Sequence, residues 1–386
     1  MPQGASMEPE LQPTVEEAPP AATASDASQP PHPAPQQDRD FDWVFIGPHG
    51  LRAGWSIVLF AALYYLFRMV IGTLFFAAGL VHDSPADSAS AVLVGELVPF
   101  FALIAAALVM VLIEDRRIQS YNLAGTHRVR HFVSGLVAGF AALSLLVAAL
   151  AWGGWLRFGA ASQSAAQAAA IGVLWAIAFL LVGSVEEGLF RCYALSTLTR
   201  GINFWWALAA QIAICLYLAL IGGGNGAWGV YAAAALGFLP CLILHRRFGA
   251  RSAFWQAAWV TSTFFGSYHT SNSGENWIGI FAASFMGFVF CLSVRLTGSA
   301  WWAIGCHAAW DWAETFFYGA ADSGLQGQGH FLSASPAGNP LWSGGADGPE
   351  GSLLVLGVIL LLLLFLLGLY ARNAAAQPLP RLTGNP

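Results

Sequence analysis

The sequence predicts an all-α fold: a polytopic transmembrane helical bundle of about ten spans that includes a duplicated two-helix unit. Three observations predict it. The composition is 57% hydrophobic and only 10% charged, with a mean hydropathy of +0.60, a balance found in chains that cross a membrane repeatedly. Apolar runs near the ~20 residues needed to span a bilayer recur along the chain. The arginines between those runs fall mostly on alternate sides.

The apolar runs lie near 53–80, 90–113, 132–155, 168–190, 203–223, 226–244, 253–271, 275–296, 299–319 and 351–371. Arg116, Arg117, Arg128 and Arg130 follow the second run, Arg200 the fourth, Arg246, Arg247 and Arg251 the sixth, Arg295 the eighth and Arg372 the tenth. The opposite loops hold Arg157 and acids such as Glu275, Asp322, Asp347 and Glu350. Positive charge is retained on the cytoplasmic side, so both termini are expected there and the 320–350 loop outside.

Residues 1–45 form an acidic, Pro/Ala-rich tail without an apolar core and are expected to be disordered. They also lack the positive start and apolar run of a signal peptide. The transmembrane domain is expected over 46–372 and a short C-terminal tail over 373–386. All sixteen basic residues are Arg, and the formal charge of −5 owes much to the acidic leader. The body is nearly balanced, so no nucleic-acid partner is expected; membrane lipids are. Cys192, Cys215, Cys241, Cys291 and Cys306 all fall in apolar runs without paired or metal-type spacing and read as reduced packing residues.

An internal repeat occurs at an offset of 50 residues. Between 204 and 242 eleven positions are identical to those 50 residues on, including Gly229/Gly279, Gly237/Gly287 and Cys241/Cys291. Residues 204–253 therefore read as a duplicated helix pair that returns the chain to the side it left. Phe265 and His269 have Cys215 and Ala219 as their counterparts in the first copy.

Three i,i+4 elements stand out: Glu186-Glu187-x-x-x-Arg191, Phe265-x-x-x-His269 and His307-x-x-x-Asp311. Each places its outer residues on one helix face. A carboxylate at membrane depth costs several kcal/mol, so such acids are paired or do chemistry. Glu187 and Arg191 can neutralise one another, while Glu186 points about 100° away. At about 1.5 Å per residue from the arginine-marked ends, Glu186, His269 and His307 can meet within the apolar layer. Two acids, two histidines and an aspartate there suit general acid–base hydrolysis. Arg68 and Glu96 are expected to pair between helices. Glu314, seven residues after His307, is expected near the outer interface, and His127, His131, His245 and His330 are expected in solvent.

These motifs resemble the CPBP family of intramembrane glutamate proteases, which includes the CAAX prenyl endopeptidases and bacterial proteins linked to bacteriocin self-immunity. The resemblance covers about 168–319, the expected protease core. It departs from the family in the long separation of the first two motifs, which the duplicated unit accounts for, and in Asp311 where well-studied eukaryotic-type members have Asn. It implies a metal-independent endopeptidase without cofactor, in a bacterial plasma membrane. In that reading Glu186 and His269 activate water, and His307 and Asp311 serve the oxyanion. Glu187, Arg191 and Phe265 support them. Asp311 either stays protonated and donates as Asn would, or orients His307, which then serves the oxyanion alone. The substrate would be a peptide or protein, with membrane-anchored and lipidated chains included. The competing expectation is a non-catalytic immunity or scaffold protein that uses the same fold to bind a partner. A metal hydrolase would need His and carboxylate ligands, and no HExxH is present.

Overall fold

Ten helices follow the ten apolar runs, and each packs an apolar stripe against its neighbours. The structure, a computed structural model, describes residues 42–376 apart from 49, 81–84, 86, 160–163 and 222–225. Most of the expected N-terminal tail and residues 377–386 lie outside the described residues. The helices are α1 (Ala53–Ala77), α2 (Ala89–Ile113), α3 (Arg128–Trp152), α4 (Ala165–Glu187), α5 (Phe204–Ile221), α6 (Gly226–Phe248), α7 (Ala253–Tyr268), α8 (Trp277–Thr297), α9 (Trp301–Asp311) and α10 (Leu353–Ala376). The last helix thus runs into the segment expected as a C-terminal tail.

Among the described residues six helices are long and apolar enough to cross a membrane: α1, α2, α3, α4 with its extension, α8 and α10. The chain is an integral membrane protein. Large apolar side chains such as Leu112, Trp205, Trp206 and Leu220 stand exposed on its flanks, where lipid would cover them. Ten full spans were expected. Of the others, α7, whose sixteen residues reach only about 24 Å, is shorter than an apolar layer of about 30 Å. It ends next to His269, a candidate site residue.

Side-chain caps set several helix starts. Ser88 accepts from Ala91 N on α2, Ser164 and Gln167 form a reciprocal capping box on α4, and Asn276 accepts from Ile278 N and Gly279 N on α8. These bonds satisfy backbone donors that no earlier turn can reach.

Besides a small cluster around Trp175, Phe179 and Phe316, two larger apolar clusters make the core. One joins α3, α8, α9 and α10 through Leu143, Leu146, Val289, Trp302 and Ile359. The other joins α1, α2, the helical extension after α4 and α7 through Phe60, Ala106, Tyr193 and Ala257. Helices α8 and α9 contribute to both, and the candidate site lies along them. The closest approach is between α3 and α9, where a Cβ on Gly139 would strike the carbonyl of Cys306 and one on Gly305 the carbonyl of Phe132. Backbone-to-backbone seating of this kind is typical of helices packed without a hydrophobic driving force.

The duplicated pair, α5 and α6, lies against α7. Gln211 Nε2 donates to Thr263 Oγ1 at 2.8 Å, Gln256 Nε2 to the Cys241 carbonyl at 2.8 Å, and Trp259 Nε1 to the Gly237 carbonyl at 3.0 Å. The long segment before α10, read as a loop, is built. Ala321–Asp322 pairs with Leu325–Gln326, and Ala334–Pro336 pairs with Leu156–Phe158 beyond α3. His131, expected in solvent, is buried, with its ring edge-on to Tyr370 at 5.6 Å.

Candidate active site

Helix α4 delivers both glutamates at its last turn. The chain continues without a break, but Gly188–Ala194 winds as a π-helix before Leu195–Leu198 returns to α geometry. Single π turns inside α-helices recur at functional sites. Glu187 and Arg191 are completely buried, and Arg191 Nη1 lies 3.2 Å from Glu187 Oε1. The guanidinium also sits over the rings of Phe265 at 4.3 Å and Phe290 at 5.4 Å, a favourable arrangement for a desolvated cation. Asn122 Nδ2 donates to the Arg191 carbonyl at 2.7 Å.

Helix α9 brings His307 to the same carboxylate. Its Nδ1 lies 2.9 Å from Glu187 Oε1. An ionised carboxylate only accepts, so Nδ1 carries the proton. The other nitrogen, Nε2, faces Glu186 Oε2 at 3.7 Å and Asp311 Oδ2 at 3.4 Å. Phe290 stacks on the imidazole with centroids 5.7 Å apart. Glu187 therefore has two partners, where the sequence suggested Arg191 alone. A second π-helix, Trp312–Tyr318, follows Asp311 directly, so both glutamate and histidine motifs abut a π turn.

His269 caps the C-terminal end of α7, and its Nδ1 lies 2.9 Å from the Phe265 carbonyl. That carbonyl holds the Nδ1–H tautomer and leaves Nε2 as the free ring nitrogen. Glu186, Phe265, His269, His307 and Asp311 all line one cavity of about 390 Å³. Glu186 keeps 24% of its side chain exposed while Glu187 keeps none, as the 100° offset between neighbouring helical positions requires.

The cavity lining that was not read as site residues from sequence includes Glu96, Phe290, Asp322 and Glu350. Glu96 had a signal, an acid at membrane depth, but was expected to pair with Arg68. No ion pair joins them among the described residues. Arg68 lies beside Tyr64 and Tyr268, and Glu96 turns to the cavity. Phe290, one aromatic among many, carried no signal. Glu314, expected near an interface, is fully buried.

Residues 241–313 match the model of the type II CAAX prenyl endopeptidase Rce1-like family. The match takes in Phe265, His269, His307 and Asp311, and it stops short of the glutamate motif. No curated protein matches the chain, and no solved structure does. Glu186, Glu187 and Arg191, outside the match, fold onto the matched segment, whose similarity is to the CAAX protease family.

Proposed function

We propose that the protein is an intramembrane glutamic endopeptidase that cleaves peptide bonds with a water activated by Glu186 and His269. Glu186 takes a proton from the water as its oxygen attacks the scissile carbonyl carbon. The proton then passes to the departing amine, leaving a carboxylate and an amine as products. His269, with Nδ1 held by the Phe265 carbonyl, offers Nε2 to position the water. His307, protonated on both nitrogens, is anchored through Nδ1 to Glu187 and turns Nε2–H toward the forming oxyanion. Asp311, at 3.4 Å from that nitrogen, orients the imidazolium. Glu187 and Arg191 hold the glutamate turn in place. No metal or cofactor takes part in the step.

The observation that carries this reading is the contrast between the two glutamates. Glu187 is fully buried, and its Oε1 is held by both Arg191 and His307, while its Oε2 has no hydrogen-bond partner among the described residues. Glu186 opens on the cavity, and its Oε2 makes no hydrogen bond among the described residues. The substrate class is a peptide or protein segment, including membrane-anchored and lipidated chains. The setting is a bacterial plasma membrane with both termini cytoplasmic, supported by the arginine-rich turns.

Peptide cleavage by the purified protein beside its Glu186→Gln variant tests the proposal. Gln keeps the shape but accepts no proton, so turnover should fall by at least about a hundredfold while the melting temperature holds. Parent-like turnover in that variant would remove Glu186 as the base.

A further inference from the structure

Between Arg295 and Arg372 the chain contains no Lys or Arg, yet it holds five acids: Asp311, Glu314, Asp322, Asp347 and Glu350. Three of them converge. One carboxylate oxygen each from Glu314, Asp322 and Glu350 lies within 4.8 Å of the others. They come from three separate segments: the π-helix after α9, the short hairpin at 321–326, and the turn Pro349–Gly351 that leads into α10.

The surrounding donors are neutral. Thr315 Oγ1 lies 3.0 Å from Asp322 Oδ2. Ser323 Oγ donates to Glu350 Oε2 at 2.7 Å, and Trp310 Nε1 donates to Glu350 Oε1 at 2.6 Å. These bonds aim the two carboxylates without compensating their charge. Glu314 is different in kind. It is completely buried, and neither of its oxygens has a hydrogen-bond partner among the described residues. A buried carboxylate with no donor is costly, and this one points at two further carboxylates. The catalytic reading gives it no role.

We infer that Glu314, Asp322 and Glu350 bind one hard divalent cation, calcium in preference to magnesium. Oxygen-only ligands suit both ions. Three protein carboxylates favour calcium, which takes about six to eight oxygens in flexible geometry, over magnesium, which keeps several waters and is usually held by one or two carboxylates; the three oxygens lie within 4.8 Å of one another. The ion would tie the end of α9 to the hairpin and to the start of α10. Asp322 and Glu350 also line the cavity that holds Glu186 and His307, so the ion would fix that wall. Neither Glu186 nor His269 is a ligand, and the inference stands apart from the hydrolytic reading.

The test is calcium binding by the detergent-purified, chelator-stripped protein, followed by calorimetry and by thermal melts. The parent should bind one calcium per chain, about tenfold or more tighter than magnesium, with a melting temperature that rises with calcium concentration as linkage demands. Glu314→Gln removes the buried charge, so it should melt higher than the parent without calcium and gain nothing from calcium. Asp322→Asn should weaken binding about tenfold or more, as loss of a ligand does. A parent protein that shows no saturable heat and no shift in melting temperature at millimolar calcium or magnesium would overturn the inference, whether or not any variant folds. So would unchanged binding in Glu314→Gln. If calcium fails to bind and Glu350→Gln selectively loses cleavage of peptides with a basic side chain, the cluster is a substrate subsite, and the metal assignment falls.

Discussion

Arg191 reaches Glu187 because residue 287 has no side chain. A Cβ on Gly287 would strike Arg191 Nη2 and would press the Ser262 backbone at 3.3 Å. Backbone on one side and a buried ion pair on the other leave little room to give. Gly287→Ala should cost about 1–3 kcal/mol of stability as an overpacked site, and it should also lower turnover, because the displaced guanidinium carries Glu187 and hence His307 with it. Thermal melts and peptide cleavage on the same preparation check both effects; a parent-like melting temperature would refute the close approach.

Glu187 serves two partners, and that changes what its substitution should do. Glu187→Ala leaves a buried guanidinium uncompensated and His307 Nδ1 without an acceptor, a loss of roughly 3–5 kcal/mol. Exchanging the charges (Glu187→Arg with Arg191→Glu) would repair a simple ion pair. Here it would place a cation against His307 and take one away from the rings of Phe265 and Phe290. We expect no recovery from the exchange, and partial recovery of stability from Glu187→Gln, which still accepts from His307. Yield and melting temperature of the three variants decide the matter.

Glu114, just past the end of α2, ties together the basic end of the bundle. Its carboxylate meets Arg200 at 3.1 Å and Arg116 at 3.3 Å, and accepts from Tyr121 at 3.0 Å. Burial pushes this carboxyl up, but the nearby Ser56 hydroxyl, Arg200, Tyr121 and Arg116 more than offset it and hold it below the ordinary carboxylate value. A depressed folded value means that the unfolded chain binds more protons in acid. The stabilisation is therefore present above about pH 4.5 and is lost as pH falls through the lower folded value. Melting temperatures between pH 7 and pH 3 should decline less steeply in Glu114→Gln than in the parent, and equal slopes would exclude the contribution.

Deleting 204–253 joins Asn203 to Phe254 and removes α5 and α6. No described residue of that unit lines the cavity around Glu186, and the two helices are expected to enter and leave on one side. The shortened chain should insert with its C-terminus on the same side as the parent's. Its stability should fall, since buried Gln256 loses its carbonyl acceptor on Cys241, at about 1–3 kcal/mol for a group left unpaired. A C-terminal reporter reads the topology; a flipped location would mean that 204–253 crosses an odd number of times.

The sequence by itself determined the helical architecture, and it made the internal repeat and most of the candidate site legible. Apolar length, arginine position and i,i+4 spacing act locally, and each is readable from a single segment. The separation of the two glutamates followed from the same local rule, since adjacent positions on a helix cannot share a face. Tertiary structure decided what distant segments do to one another. Only the seating of α9 against α4 gives Glu187 a second partner in His307, and only the place of α8 requires glycine at 287. The π turns after Glu187 and Asp311 depend on that packing, because the same residues would otherwise continue as an α-helix. Arg68 and Glu96 looked like partners because each needed an opposite charge nearby. Packing instead set Arg68 beside Tyr64 and Tyr268 and turned Glu96 to the cavity. The convergence of Glu314, Asp322 and Glu350 joins three segments across 37 residues of chain, a distance over which spacing in sequence carries no information about position in space.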